Sequence, residues 1–366
     1  MERIQKIELK QMVKKPKKIV PVKKVKKRIK KRKSLNFLNK SKHNPIIEPI
    51  KENGWESWQT FNPGVIQIDN KVYFIYRAIG EDGVSRFGFA VSNDGFVIED
   101  RLPYPIYEHK TNESKFYYYS YLSGGSFGGC EDPRLVQIEG EDELYISYTA
   151  CDNGLRMALN SIKIDDFENQ KWKWKESKLI SPPQEVHKNW LIFPEKINGK
   201  YALLHSIKPD IQIEYMEDLE FNNDSFIESI YKAGPQKGCW EKWVRGAGPP
   251  PIKTKDGWLL FYHAMDDDFS KYKLGVMLLD LKDPTKVLYR AKEPILEPNE
   301  TYENCGYKSG VIYASGTIVK DGNLLVYYGG ADSYVCVAYA PLGKFLKALK
   351  ENSHPVLKTK KLRTKK

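Results

Sequence analysis

Asp256-Gly257-Trp258-Leu259-Leu260-Phe261-Tyr262-His263 decides the fold: a tight acidic turn feeds a short aromatic-rich run that ends on a polar residue. The pattern recurs four more times. Asp69-Asn70 leads through Val72-Tyr73-Phe74-Ile75-Tyr76 to Arg77, and Glu141-Asp142 through Leu144-Tyr145-Ile146-Ser147-Tyr148 to Thr149. Asn198-Gly199 leads through Tyr201-Ala202-Leu203-Leu204-His205 to Ser206, and Asp321-Gly322-Asn323 through Leu324 and Tyr328 to Gly329. By subtraction the polar ends stand 72, 57, 57 and 66 positions apart. That interval holds about four short strands with their turns. The spacing predicts an all-β chain, a five-bladed β-propeller whose strand ends converge on one mouth of a central channel, so that a site on the axis gathers residues distant in sequence. A β-sandwich with the same strand repeats and no common axis is the alternative.

Outward from these copies, further strand-like runs such as Gly88-Phe89-Ala90-Val91-Ser92 and Leu274-Gly275-Val276-Met277-Leu278-Leu279 fill the intervals. The 366 residues are 41% hydrophobic and 13% aromatic, too apolar for a chain disordered throughout. The longest apolar runs fall short of the roughly 18 to 20 residues of a membrane span. Cys130, Cys151, Cys239, Cys305 and Cys336 are odd in number and scattered, which supports neither a disulfide framework nor a zinc knuckle and predicts a reducing, cytoplasmic setting.

The net charge of +12 is unevenly placed. Residues 1–42 hold 18 Lys and Arg against two Glu, so the remaining 324 residues carry a net charge of −4. The expected organisation is a flexible basic tail over 1–42, a catalytic propeller over 43–345 and a basic C-terminal tail over 346–366. A solvated arm is the simplest reading of the N-terminal run. Nucleic acid, an anionic membrane or another anionic partner would suit it equally.

Gly128-Gly129-Cys130-Glu131-Asp132-Pro133-Arg134 precedes the second copy and sets two carboxylates beside a guanidinium, with glycines that permit close backbone approach. Taken alone, an Asp-Pro turn flanked by Arg is as readily structural. It is accompanied by Phe193-Pro194-Glu195-Lys196, by the Gly246 to Ile252 run and by Gly329-Gly330-Ala331-Asp332. With Asn44-Pro45-Ile46, Asn62-Pro63, Tyr76-Arg77-Ala78, Gly257-Trp258-Leu259 and Tyr262-His263, these motifs run in order from Asn44 to Asp332. In them the chain resembles glycoside hydrolase family 130, the mannoside phosphorylases and related hydrolases, which are five-bladed propellers.

The resemblance implies an inverting reaction on a manno-oligosaccharide or other β-mannoside, with inorganic phosphate as co-substrate, release of mannose 1-phosphate and no cofactor. It implies Asp132 as general acid, in some members through a substrate hydroxyl. An acid of this kind needs a raised pKa, which neighbouring Glu131 and aromatic surroundings are expected to supply. Dianionic phosphate needs cations, for which Arg77, Arg134, Lys188 and His263 are the candidates. Asp332 is placed on the glycone, with Asn62, Glu131, Tyr121 and Tyr262 as further sugar contacts. Trp55, Trp58, Trp190, Trp240 and Trp243 could line further subsites, core packing being the simpler role for any one of them.

Leu204-His205-Ser206 departs from the family pattern, since many relatives carry Arg where Ser206 stands; Lys208 is the expected replacement for that charge. Hydrolysis by water, with Glu195, Glu241 or Glu303 as base, therefore stays open beside phosphorolysis. So does a non-catalytic glycan-binding propeller, and association into a homo-oligomer is equally open. His43, His109 and His354 lie in polar stretches that predict surface positions, whereas His205 alternates with core residues. The sequence has no metal-ligand spacing, Walker loop, Rossmann fingerprint or GxSxG elbow.

Overall fold

The computed structural model describes residues 37–110, 121–122, 124–222, 225–229, 240–266 and 270–353. The expectations for the basic tail up to residue 36, for Cys239 and His354, and for the closing run Lys358–Lys366 lie outside the described residues.

The chain is predominantly β. After a two-residue strand β1 (Asn39–Lys40), a first antiparallel group holds β2 (Gln59–Ile68), β3 (Lys71–Ile79), β4 (Val84–Ser92) and β5 (Asp100–Arg101). A second holds β6 (Gly128–Gln137), β7 (Glu143–Cys151), β8 (Leu155–Lys163) and β9 (Lys178–Leu179). The third is β10 (Leu191–Ile192), β11 (Tyr201–Ser206) and β12 (Gln212–Met216). The fourth is β13 (Trp243–Ala247), β14 (Ile252–Thr254), β15 (Gly257–Met265), β16 (Tyr272–Leu279) and β17 (Val287–Arg290). The fifth is β18 (Ile312–Lys320), β19 (Asn323–Gly330) and β20 (Tyr334–Pro341), with β1 paired to β20. The first two groups touch through a short parallel pairing, Val84 with Gly128 and Ser85 with Gly129. Among the described residues no sheet closes on itself.

The five recurrent runs are β3, β7, β11, β15 and β19, each an inner strand of its own group. Their near-continuous apolar character has a simple cause: such a strand is buried on both faces. Alternate side chains then serve two different cores. On β15, Trp258, Leu260, Tyr262 and Ala264 join a core shared with β10 and β11, while Leu259 and Phe261 face a core shared with β18, β19 and β20. On β3, Tyr73 and Ile75 pack toward β6, β7 and β8, and Val72, Phe74, Tyr76 and Ala78 pack toward β18, β19 and β20. A fifth core joins β6 and β8 to β10 and β11. Four of the five cores thus lie between successive groups, and the remaining one lies between the last group and the first.

Phe37 and Leu38, ahead of the expected boundary at residue 43, are buried in the core between the fourth and fifth groups. At the other expected boundary the helix Leu342–Glu351 buries Phe345, Leu346 and Leu349 in that core, because its apolar residues recur at helical spacing. No helix among the described residues is long and apolar enough to cross a membrane.

Candidate active site

The leading strands of four groups each break register once. The shifts fall between Phe61 and Gly64, Glu131 and Arg134, Val244 and Gly246, and Ala314 and Gly316. A bulge bends its strand and re-aims a side chain. Asn62 and Asp132 sit at two of these breaks in the left-handed region, with φ of 46° and 51°, a conformation that Asn and Asp tolerate better than most residues. Asn189, just ahead of β10, has φ of 67°. Close packing locks these turns: a Cβ on Gly329 would lie 2.0 Å from Asn62 Oδ1, and one on Gly246 would lie 2.4 Å from Asn189 Nδ2.

The re-aimed side chains meet at a cavity of about 340 Å³. Among the described residues Asp132 and Asp332 are the carboxylates in its lining, and Lys188, Lys208, Arg245 and Lys308 are cations there. Asn62 Nδ2 donates to Asp132 Oδ1 at 2.8 Å. Arg77 Nη1 lies 3.3 Å from the same oxygen. The guanidinium of Arg245 and the ammonium of Lys308 both stand over the Tyr272 ring, at 5.7 and 5.0 Å from its centre.

The two carboxyls are held oppositely. Burial pushes Asp132 up, but Arg77, Lys188, Arg134 and the Asn62 amide outweigh it and hold the carboxyl below its usual range. Burial dominates at Asp332 and raises it to about 6, with Lys308 and Arg77 opposing. The net direction at Asp132 is downward, the opposite of the raised pKa expected from sequence, and neighbouring Glu131 is itself paired with Arg77 Nη2 at 3.2 Å and with Lys188 Nζ.

Of the residues singled out in the sequence, Asp132, Asp332, Asn62, Lys188 and Lys208 line the cavity. Ser206 lies in the lining too, its Oγ donating to the Lys208 carbonyl at 2.9 Å. Arg77, Arg134 and His263 stand behind the wall instead. Arg77 is fully buried, its Nε donating to Ser85 Oγ at 2.9 Å and its plane lying over the Phe61 ring. Arg134 is a clamp: it donates to the carbonyls of Gly248 at 2.8 Å and Asp132 at 2.9 Å, to Asn189 Oδ1 at 2.9 Å and to the Tyr313 hydroxyl at 3.0 Å. His263 stacks on Tyr313 and bonds through Nε2 to the Ala314 carbonyl, and burial pushes it down to about 3, so it stays neutral. It therefore offers phosphate no positive charge.

Tyr262 is a core residue whose hydroxyl meets Glu241 and Arg290. Tyr121 lies at a neighbouring cavity, stacked on Phe127. The carboxylates considered as water-activating bases are engaged elsewhere. Glu195 pairs with Lys253, Glu241 with Arg290, and Glu303 caps the helix Thr301–Asn304 while binding Lys40. His43 is exposed as expected, but His109 is buried, between the Tyr148 hydroxyl and Asp152. Among the described residues no group of His, Cys, Asp and Glu could hold a metal ion.

Arg245, Lys308, Tyr272, Tyr313 and Asn189 escaped the sequence reading. Arg245 and Asn189 abut quoted motifs, next to Gly246 and Lys188, and adjacency was the available signal. Lys308 and Tyr272 lie in stretches with no local mark of function.

A family model described as beta-1,4-mannooligosaccharide phosphorylase matches residues 16–351. The 1,2-beta-oligomannan phosphorylase of Thermoanaerobacter sp. (strain X514) is 40% identical over 307 residues, 80% of this chain and 94% of that protein. A beta-1,2-mannobiose phosphorylase of the same strain is 36% identical over 316 residues, 82% of this chain and 96% of its own. The solved beta-1,2-mannobiose phosphorylase from Listeria innocua, in complex with beta-1,2-mannobiose, superposes with a TM-score of 0.67 at 28% identity, covering 86% of this chain and 99% of that one. With a family match across nearly its whole length and relatives of this identity and coverage, the chain belongs to glycoside hydrolase family 130.

Proposed function

We propose that the protein is an inverting β-mannoside phosphorylase, a five-bladed propeller that transfers a terminal mannosyl unit to inorganic phosphate. The observation that carries this reading is the single cavity in which two buried carboxylates face Lys188, Lys208, Arg245 and Lys308. Cations so placed suit a dianionic nucleophile, and carboxylates suit a sugar ring and a leaving oxygen. Five sheet groups with a core between each successive pair support the propeller. The relatives at 40% and 36% identity favour a β-1,2 linkage for the substrate.

In the reaction a phosphate oxygen attacks the anomeric carbon from the face opposite the leaving group. The glycosidic C–O bond breaks, and Asp132 delivers a proton to the departing oxygen, directly or through a substrate hydroxyl. The hydrogen that phosphate gives up replaces that proton overall. Asp132 is held too acidic for this task while Lys188 and the guanidiniums surround it. Phosphate bound at the cations cancels part of their field and raises Asp132 toward the proton-donating range. Co-substrate binding and readiness of the acid are thereby linked.

A second reading rests on one observation: Asp332, at about 6, is the carboxyl that already holds its proton more readily. In that reading Asp332 is the acid and Asp132 orients the sugar. Proton NMR of the anomeric signals in phosphate buffer, with β-1,2-mannobiose as substrate, tests the function. α-Mannose 1-phosphate is the expected product; turnover unchanged when phosphate is omitted would overturn phosphorolysis. An aryl mannoside whose leaving group needs no proton separates the acids, since it rescues the Asn variant of the true acid alone.

A further inference from the structure

Glu303 is a fully buried carboxylate that stands outside the lining of the charged cavity. Its Oε1 accepts from the Tyr328 hydroxyl at 2.8 Å. Its Oε2 accepts from the amides of Asn299 at 2.8 Å and Glu300 at 2.9 Å and from Lys40 Nζ at 2.5 Å. A neutral, exposed side chain would suffice to cap so short a helix. A buried ion pair instead holds one arrangement well, since removing either partner strands the other charge in surroundings that solvate it poorly.

Lys40 comes from the far end of the chain. It lies on β1, which pairs with β20, and its ammonium also donates to the Glu297 carbonyl at 2.9 Å and to Asn299 Oδ1. Four residues on, Asn44 Nδ2 donates to the Val337 carbonyl at 2.9 Å, and Asn44 Oδ1 accepts from Val337 N at 2.8 Å. The N-terminal strand is thus fastened to the fifth group and grips the segment 297–303.

From Glu303 the grip continues into the cavity. Its carbonyl accepts from the amides of Gly310 at 3.0 Å and Val311 at 3.2 Å, which closes the loop that carries Lys308. The Gly310 carbonyl accepts from Tyr272 N at 2.9 Å, and Tyr272 is the ring under the Lys308 ammonium. Asp332 has an anchor of its own on β2: Gln59 Nε2 donates to its carbonyl at 2.8 Å, and Thr60 N to the Ser333 carbonyl at 3.2 Å. Loosening the Glu303 end of the loop therefore displaces Lys308 relative to Asp332 and does not carry both together.

We propose that Lys40 and Glu303 are positioning residues of the active site: the ion pair between them fixes the loop 304–310 and so sets where the Lys308 ammonium stands relative to Asp332. The inference rests on the phosphorylase reading for what Lys308 meets, which is phosphate.

The test uses the full chain with Lys40→Met, which keeps the stem and removes the charge, and Lys40→Arg, which keeps the charge. In Lys40→Met, KM for phosphate is expected to rise about tenfold while KM for β-1,2-mannobiose changes less, and Lys40→Arg should restore most of the loss. A second readout needs no turnover. Burial raises Asp332 to about 6, with Lys308, Arg77 and Lys188 opposing and Asp132 adding to the rise. With Lys308 displaced, the Asp332 titration, followed by carboxyl carbon NMR and assigned with Asp332→Asn, should move further up in Lys40→Met and return in Lys40→Arg. Lys40→Gln, which keeps a donor for Glu303, carries the same expectation if Lys40→Met does not fold. A folded variant with a lower melting temperature but parental KM values and a parental Asp332 titration overturns the positioning role and leaves the pair a staple of the fold. A parent without phosphate-dependent turnover, whose Asp332 titration still moves in the variant, overturns the phosphorylase reading and keeps the positioning role.

Discussion

The wall behind Asp132 and the face that looks into the cavity are both rich in positive charge, yet they do different physical work. Arg77 and Arg134 are fully buried, and their planar forks are committed to Glu131, Asp132, Ser85, Asn189 and backbone carbonyls. Lys188, Lys208, Arg245 and Lys308 belong to the cavity lining. A charge in the wall fixes geometry and sets a pKa from a distance; a charge in the lining can meet a ligand. Guanidinium suits the first task because it is rigid, always charged and rich in donors. Position, not residue type, separates the two roles.

The largest effect expected on this comparison is on chemistry. Asp132→Asn should lower kcat by about 10²- to 10⁴-fold with β-1,2-mannobiose, the usual range for a lost general acid, and steady-state phosphorolysis measures it. Full activity in that variant would dissolve the distinction between Asp132 and the wall that holds it.

Next comes the wall. Arg77→Ala leaves Glu131 and Asp132 buried without that cation and should cost about 3 to 5 kcal/mol of stability, read from the urea midpoint. Arg245→Ala should cost less than about 1 kcal/mol, because its side chain is on the surface of the cavity. Equal losses would erase the contrast.

Asp332 provides a pH test. Its folded carboxyl sits at about 6 against an ordinary 3.8, so between those values the folded chain keeps a proton that the unfolded chain has released. Stability therefore falls as pH rises through that window, by about 3 kcal/mol in all, and there is no such penalty below it. Asp332→Asn should raise the melting temperature at pH 7.5 and leave it nearly unchanged at pH 3.5, as calorimetry at the two pH values would show. The opposite order would mean that Lys308 and Arg77 outweigh burial.

A smaller effect is expected in the lining. Arg245→Ala should raise KM for phosphate about tenfold while changing KM for the mannoside less, the worth of one charge-assisted contact. The smallest is a shift of the alkaline limb of the pH profile, the limb set by loss of the general acid's proton. Saturating phosphate should move it upward in the parent protein, because bound anion offsets the cations that now depress Asp132.

Much of this was legible before any fold. The five recurrent runs mark inner strands because burial on both faces demands apolar residues at every position, which leaves a strong local signature. Asn62 and Asp132 stood out because each precedes Pro, a pattern with local backbone consequences that the strand breaks at both positions reflect. Where Arg134 and His263 point was not legible, because a charge or an imidazole in a motif looks the same whether it points into a cavity or into a wall. The strand position of Tyr262 likewise gives no hint of which core it fills.

By itself the sequence determined the β architecture and its recurrent inner strands, since turn chemistry, strand periodicity and motif order are local properties of the chain. The tertiary structure alone decided which cations face the cavity, and which carboxyl burial raises and which the surrounding charges lower. Those outcomes depend on distances between groups separated by tens to hundreds of residues, and desolvation and Coulomb energy are functions of distance and burial that sequence spacing does not encode.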